Sequence, residues 1–404
     1  MSRSDLPLSD VRVLDLGQAI AGPICGTFLA DLGADVVKIE RPSGDGYRVN
    51  RRDRDGVKYN PPFELFNRNK RSLCLDLKTD DGLDALYDLV ERADVFIQNW
   101  PPGVAERLAV DYERLSELNE DLVYVHITGY GQSGPMAHLP GMDAMTQHVS
   151  GFTSLLGYED DRPPIRAQSS LADYFAAYSS TISVLGALIG RDTAGGQKVE
   201  ISLLEALAHN IDAAYEFYNN LGEEPGKGGR NLYYEPDMLY GAAEAADGYV
   251  SVALLLYSDR IWHAYCKLLD RPDLLETEQY RTVQGRVEDA DVLRSKFEEW
   301  LVEQSVDDAV ETLNDLGIPA APYQTIKEAA DMDHMDHLGV FEEIDHPVYE
   351  TLTLTSTPLS LSESDVSLRH RAPLLGEHNR DVLREHGYDE DEIDRLVESG
   401  VLTE

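Results

Sequence analysis

Two stretches of this chain hold side chains whose type and spacing could do chemistry. The first is Asp173, in Ser170-Leu171-Ala172-Asp173, at the head of a helical pattern that runs from Leu171 to about Gly190. Spacing alone favours a capping box, with Ser170 as N-cap and Asp173 as its third-position acid. The same place suits a nucleophile, because a helix N-terminus favours an ionised carboxylate and only that form attacks a carbonyl. The second stretch is a basic island. Residues 41–78 hold ten Lys and Arg against five Asp and Glu, in a chain whose 74 acids and 35 bases give a net charge of −39. Acidic neighbours could neutralise such a patch. Positive charge this scarce, gathered beside a strand end, points instead to an anionic ligand.

Other chemistries lack their signatures. Gly17, Gly22 and Gly26 are spaced wrongly for G-x-G-x-x-G, and Arg41 follows the acid Glu40 at the end of the second strand, which argues against a dinucleotide. There is no H-E-x-x-H and no cysteine pair, so no metal site is expected. Cys25, Cys74 and Cys266 are far apart and odd in number, as reduced thiols of a cytoplasmic protein would be. His126 reads as a satisfied core residue, His334 and His337 as solvated, and Gly131-Gln132-Ser133-Gly134 is not a nucleophile elbow.

The elements that must position these residues follow an α/β rhythm. Val11–Arg41 reads strand, helix, strand: an apolar run to Leu16, a Gly/Ala-rich turn, a helix from about Pro23 to Gly33, and a second run at Val36–Ile39. Strands follow at Leu73–Leu77, Val95–Gln98 and Leu122–Thr128, and a helix at Gly82–Ala93. Ligands of such parallel sheets collect at the carboxyl ends of the strands, where Arg41 stands. Gly222–Arg230 is a linker by composition. The expected organisation is a Rossmann-like large domain over 1–221, a smaller α+β domain over 222–325, and a return to the large domain over 326–404. No apolar run approaches the ~18 residues of a membrane helix, and MSRSDLPLSD has no secretory h-region. The acidic surface would repel nucleic acid and anionic lipid, and suits a high-salt, halophilic cytoplasm.

Taken in order, the motifs resemble the class III CoA-transferases, the CaiB/BaiF-type family that includes formyl-CoA transferase. They are Val13–Leu16 through Ala21-Gly22-Pro23, Leu32–Arg41, Asn69–Ser72 through Leu75–Lys78, and Asn99 with Gly103 and Arg107. Then come Thr128–Gly131, Asp173, Gly196–Val199, Asp247–Val250, Gly317-Ile318-Pro319 and Leu375–His378. The resemblance implies that Asp173 is catalytic and carries CoA as an aspartyl thioester. It also implies that Ala19, Ile20, Ala21, Arg41, Leu75, Lys78, Asn99, Trp100 and Arg107 bind CoA, and that the enzyme is an interlocked homodimer. CoA would be substrate and product, with no permanently bound cofactor.

The departures concern the acyl site. Ile20 and Met142 stand where some relatives of that family carry Gln and Tyr, so Gln18 is the candidate polar group. The family's glycine-rich lid is replaced by Asn231–Pro236, which assigns shielding to Tyr233 and Tyr234. Arg48, Arg51 and Arg52 could hold the far carboxylate of a short dicarboxylate. The expected reaction is therefore CoA transfer from succinyl-CoA to a C4–C5 dicarboxylate such as mesaconate. Two alternatives remain in view: a 2-methylacyl-CoA racemase, which needs a proton-exchanging His where Met142 stands, and a CoA-binding protein without turnover.

Overall fold

The computed structural model describes residues 6–48, 52–54, 57–158, 162–227, 229 and 239–403. They fall into two compact units. The first comprises residues 1–150, 167–210 and 333–404, and the second residues 151–166 and 211–332.

The first unit is built on a six-stranded parallel sheet. In chain order its parts are β1 (Arg12–Asp15), α1 (Ala21–Asp31), β2 (Asp35–Glu40), the short hairpin β3 (Arg52–Arg54) and β4 (Val57–Tyr59), and α2 (Pro61–Asn67). Next come β5 (Arg71–Cys74), α3 (Asp80–Val90), β6 (Val95–Gln98), α4 (Val104–Arg107), α5 (Tyr112–Leu118) and β7 (Val123–Thr128). The helices α6 (Asp143–Val149) and α7 (Leu171–Ala194) precede β8 (Gln197–Ser202) and α8 (Leu203–His209). The strand order is β5-β2-β1-β6-β7-β8. The chain thus builds outward from β1 in one direction, returns, and builds outward in the other.

Burial explains the sequence pattern. Every residue of β6 and β7 is buried, which is why these strands read as continuous apolar runs. The edge strand β8 is buried only at Val199 and Ser202. Helix α1 is buried on all sides and lacks a polar face. Helix α3 starts at Thr79, whose side chain accepts from the Gly82 N–H, with Asp80 and Asp81 in its first turn. Its Leu86, Leu89 and Val90 pack on Leu14, Val37, Leu73 and Phe96 of the sheet. Truncating any of these leucines to Ala is expected to cost about 2–5 kcal/mol. Val382, Leu383 and Ile393, from the helices Asn379–Glu385 and Glu390–Glu398, complete the same core.

That return also completes the sheet edge. The Asn379 side chain accepts from the Cys74 N–H and donates to the Thr403 carbonyl. Leu75 forms a β-bridge with Leu402, and the Asp76 N–H donates to the Val401 carbonyl.

The second unit holds a three-stranded antiparallel sheet, with Tyr249–Leu254 between Leu239–Glu244 and Ala320–Pro322. Helices Asp259–Leu268, Ala290–Leu301 and Val306–Asp315 supply Trp262, Tyr265, Phe297, Leu301 and Leu313 to its core. The buried Arg286 donates to the Leu256 carbonyl and to Asp259, and lies over the Trp262 ring. Among the described residues no helix is long and apolar enough to cross a membrane.

Candidate active site

β1 ends at Asp15, and the chain turns through Leu16–Ile20 into α1. Because strand order reverses between β1 and β6, the loops that leave these two strands diverge and a crevice opens at their carboxyl ends. It encloses about 220 Å³ and is lined by Gln18, Arg41, Leu75, Lys78, Trp100 and Val104, among others. Five of these six are residues singled out from the sequence, drawn from four strand ends. Ala19, Ile20 and Ala21 continue the Gln18 turn, and Asn99 lies beside Trp100. Arg107 ends α4, whose Val104 reaches the wall. Arg41, Lys78 and Arg107 are exposed, and among the described residues none of them has a carboxylate partner. In so acidic a chain these unpaired cations mark the crevice rim as a place for an anion.

Beneath the rim the charges are all paired. Lys70, fully buried, donates to Asp15 at 2.7 Å, to the carbonyls of Pro23 and Phe66, and to Asn67. Burial alone would raise the Asp15 carboxyl, but the charges of Lys70 and Lys38 and bonds from Lys70 and the Gly17 N–H hold it below its ordinary value. Burial pushes the Lys70 amine down to about 8, against the pull of Asp15. Here the odd glycine spacing finds its reason. A Cβ on Gly17 would stand 2.8 Å from one Asp15 oxygen, and a Cβ on Gly26 would stand 2.8 Å from the other. These glycines make room for the chain's own carboxylate.

The turn above is held by side chains. Gly17 N–H donates to Asp15, and Lys38 donates to the Gly17 carbonyl. Asn99 accepts from the Gln18 N–H at 2.7 Å and donates to the Gln18 carbonyl at 2.8 Å. Trp100 is fixed similarly: its N–H donates to Gln98, and its carbonyl meets His126 Nε2 at 3.0 Å. His126 is thus a partnered core residue, and burial lowers its pKa first of all.

Asp173 sits differently from its expected cap geometry. Ser170 is the N-cap of α7 but makes no side-chain cap bond, so the capping box is not formed. Asp143, the first residue of α6, caps the helix from outside. Its Oδ1 accepts from the Ala172 N–H at 2.8 Å and its Oδ2 from Gln147 at 2.7 Å. Among the described residues none hydrogen-bonds to the Asp173 side chain, and the residue is partly buried. Burial, and then the nearby Asp143 charge, push its carboxyl up to about 7. The helix end therefore does not favour its ionised form, because another carboxylate already occupies that role. Asp173 is not part of the crevice lining.

The residues expected from the sequence to line the acyl site are scattered in their placement. Gln18 is exposed and faces the crevice. Arg48 donates to both Glu40 oxygens and lies 4.0 Å over the Phe63 ring, so its guanidinium is already engaged. Met142, N-cap of α6, is 60% exposed. Arg52 stands in β3, while Arg51, Tyr233 and Tyr234 lie outside the described residues. Reading the sequence missed Asp15, Lys38 and Asp45, and it counted Lys70 among the bases that would meet an anionic ligand, whereas Lys70 is buried against Asp15. One signal was available, since Lys38 interrupts an apolar run that burial otherwise makes continuous.

The profile of CoA-transferase family III matches residues 8–379. A succinyl-CoA:mesaconate CoA-transferase of Haloarcula marismortui is 36% identical over 395 residues, which is 95% of this chain and 97% of that one. A formyl-CoA:oxalate CoA-transferase of Streptomyces coelicolor is 30% identical, over 98% of this chain and 99% of its own. The crystal structure of a CaiB/BaiF family protein from Brucella suis matches with a TM-score of 0.80 and 31% identity, covering 95% of this chain and all of that one.

Proposed function

The chain belongs to CoA-transferase family III and is a CoA-transferase, and on that premise we propose that it moves CoA from succinyl-CoA to a C4–C5 dicarboxylate such as mesaconate, through a thioester on Asp173. The single observation that carries the catalytic assignment is the Asp173 carboxylate at the first turn of α7, without a hydrogen-bond partner among the described residues, its capping duty taken by Asp143.

In this mechanism the Asp173 carboxylate attacks the succinyl thioester carbonyl. The C–S bond breaks, CoA leaves as thiolate, and a mixed anhydride forms. The thiolate attacks the aspartyl carbonyl and releases succinate, leaving CoA on Asp173. The acceptor carboxylate then attacks this thioester and expels the thiolate, which attacks the acceptor carbonyl of the second anhydride and frees Asp173. No proton or electron is gained or lost, and the thioester energy is kept from water. A partly buried carboxyl without hydrogen-bond donors suits the role, because desolvation leaves it a stronger nucleophile once ionised.

Arg41, Lys78 and Arg107 would hold the phosphates of CoA, with Ala19, Ile20, Ala21, Leu75, Asn99 and Trp100 around its body. Arg51 and Arg52 are the candidates for the distal carboxylate, since Arg48 is bound to Glu40. The name of the Haloarcula relative supports the dicarboxylate pair. The assembly is proposed to be a homodimer. Tyr178, Ile182 and Ile189 form an exposed apolar stripe along α7, 40%, 69% and 86% accessible, which supports a second copy as the partner. The net charge supports activity in a high-salt cytoplasm.

Intact-mass measurement after incubation with succinyl-CoA tests the proposal. A protein heavier by one CoA less water, absent in Asp173→Ala, is the expected result. Full exchange activity in that variant would end the assignment, and transfer indifferent to the distal carboxylate would end the substrate reading.

A further inference from the structure

The turn Gly17-Gln18-Ala19 is unusual in two ways. Each of its backbone groups from Gly17 N–H to Ala19 N–H is bonded to a side chain. Ala19, which is not a glycine, is held at φ +60°. A residue with a Cβ resists this left-handed conformation, so something must hold it there. What holds it is Asp45. Its Oδ2 accepts from the Ala19 N–H at 3.3 Å and lies 3.3 Å from Lys38 Nζ. Lys38 in turn donates to the Gly17 carbonyl at 2.8 Å. Asp45 is itself fixed, its N–H on Glu40 and its Oδ1 accepting from the Tyr47 N–H. Lys38 and Asp45 are buried, and both border the crevice.

We infer that Lys38 and Asp45 are a positioning pair for coenzyme binding. This rests on the reading of the crevice as the CoA site. The pair strains the first turn into its receptive shape before the coenzyme arrives, so that binding does not have to impose that shape. Both act through the backbone of Gly17 and Ala19, which they hold in place. The pair governs binding and leaves the chemical step at Asp173 untouched.

The test compares wild type, Asp45→Ala, Asp45→Asn and Asp45→Ala/Ala19→Gly by calorimetric titration with CoA, steady-state kinetics and thermal melting. Asp45→Ala is expected to weaken CoA binding and raise KM for acyl-CoA about tenfold, with kcat within about twofold. Adding Ala19→Gly should restore at least about threefold of the loss, because glycine adopts positive φ without strain. Asp45→Asn keeps an acceptor for Ala19 but loses the charge beside Lys38, so its KM should fall between the two. If Asp45→Ala does not fold, Asp45→Asn decides: a severalfold rise in KM at constant kcat supports the inference, and unchanged KM overturns it. A purely structural role predicts kcat falling with the melting temperature and no rescue by glycine; that result also overturns it. Wild-type protein that binds no CoA would remove the crevice reading and this inference together, an outcome distinct from tight wild-type binding that the variants leave unaltered.

Discussion

The floor of the crevice and the first turn of α7 treat carboxylates in opposite ways. In the floor, Asp15 is fully buried yet held below its ordinary pKa, because Lys70 and Lys38 face it and the Gly17 N–H donates to it. At α7, burial first, and then the nearby Asp143 charge, push Asp173 up to about 7, and no donor among the described residues offsets them. Burial raises both carboxyls, and only where cations and donors offset it, as at Asp15, does the carboxyl end below its ordinary value. One region uses charge to fix a shape. The other leaves a carboxyl unsatisfied, as the nucleophile proposed for Asp173 would require.

The largest effect should come from removing the unsatisfied group. Asp173→Ala is expected to lower exchange about a thousandfold or more, measured as CoA transfer between succinyl-CoA and mesaconate. Asp173→Asn should lose activity similarly but gain stability at alkaline pH. A carboxyl whose pKa rises on folding contributes stability below its ordinary value and loses it as pH climbs through about 7. At pH 8 the Asn variant is thus expected to melt about 2 °C above wild type. A lower melting point there would break the contrast.

Next in size is the paired region. Lys70→Met leaves the Asp15 carboxylate buried without its principal partner and should cost about 3–5 kcal/mol by denaturant titration. Replacing Asp15 by Asn in the same chain should recover part of that loss. A smaller effect is expected at the rim, where Arg41→Ala should weaken CoA binding about tenfold by calorimetry at fixed salt. The smallest concerns the coupling of the two carboxyls at α7. In Asp143→Asn the Ala172 N–H keeps an acceptor while the charge near Asp173 disappears. The rise of activity with pH should then move to lower pH, giving a few-fold gain at pH 6. An unchanged pH profile would show that burial alone sets the Asp173 carboxyl.

Much of the sheet could be read directly from the residues, because fully buried parallel strands impose continuous apolar runs, as in Val95–Gln98. The crevice was legible for a related reason. Its lining comes from strand ends, and Arg41, Leu75, Lys78 and Trp100 each follow a recognisable strand. What stayed hidden were contacts set by topology. Nothing local joins Asp45 to Ala19 or Asp143 to Ala172, since these pairs meet only once separate elements pack. The local pattern at Ser170 and Asp173 even pointed to the wrong cap. Two residues with capping spacing lost to a carboxylate 27 positions before the N-cap Ser170, because that carboxylate is held in place by Gln147.

The bridge between Leu75 and Leu402 sets a schedule for this molecule. The crevice wall at Leu75 is made first, yet the segment that secures its outer side is made more than three hundred residues later. At about ten residues per second, a ribosome needs roughly half a minute to deliver it. A growing chain thus exposes an unfinished edge for that interval, and its appetite for coenzyme should switch on only once the segment around Leu402 has emerged.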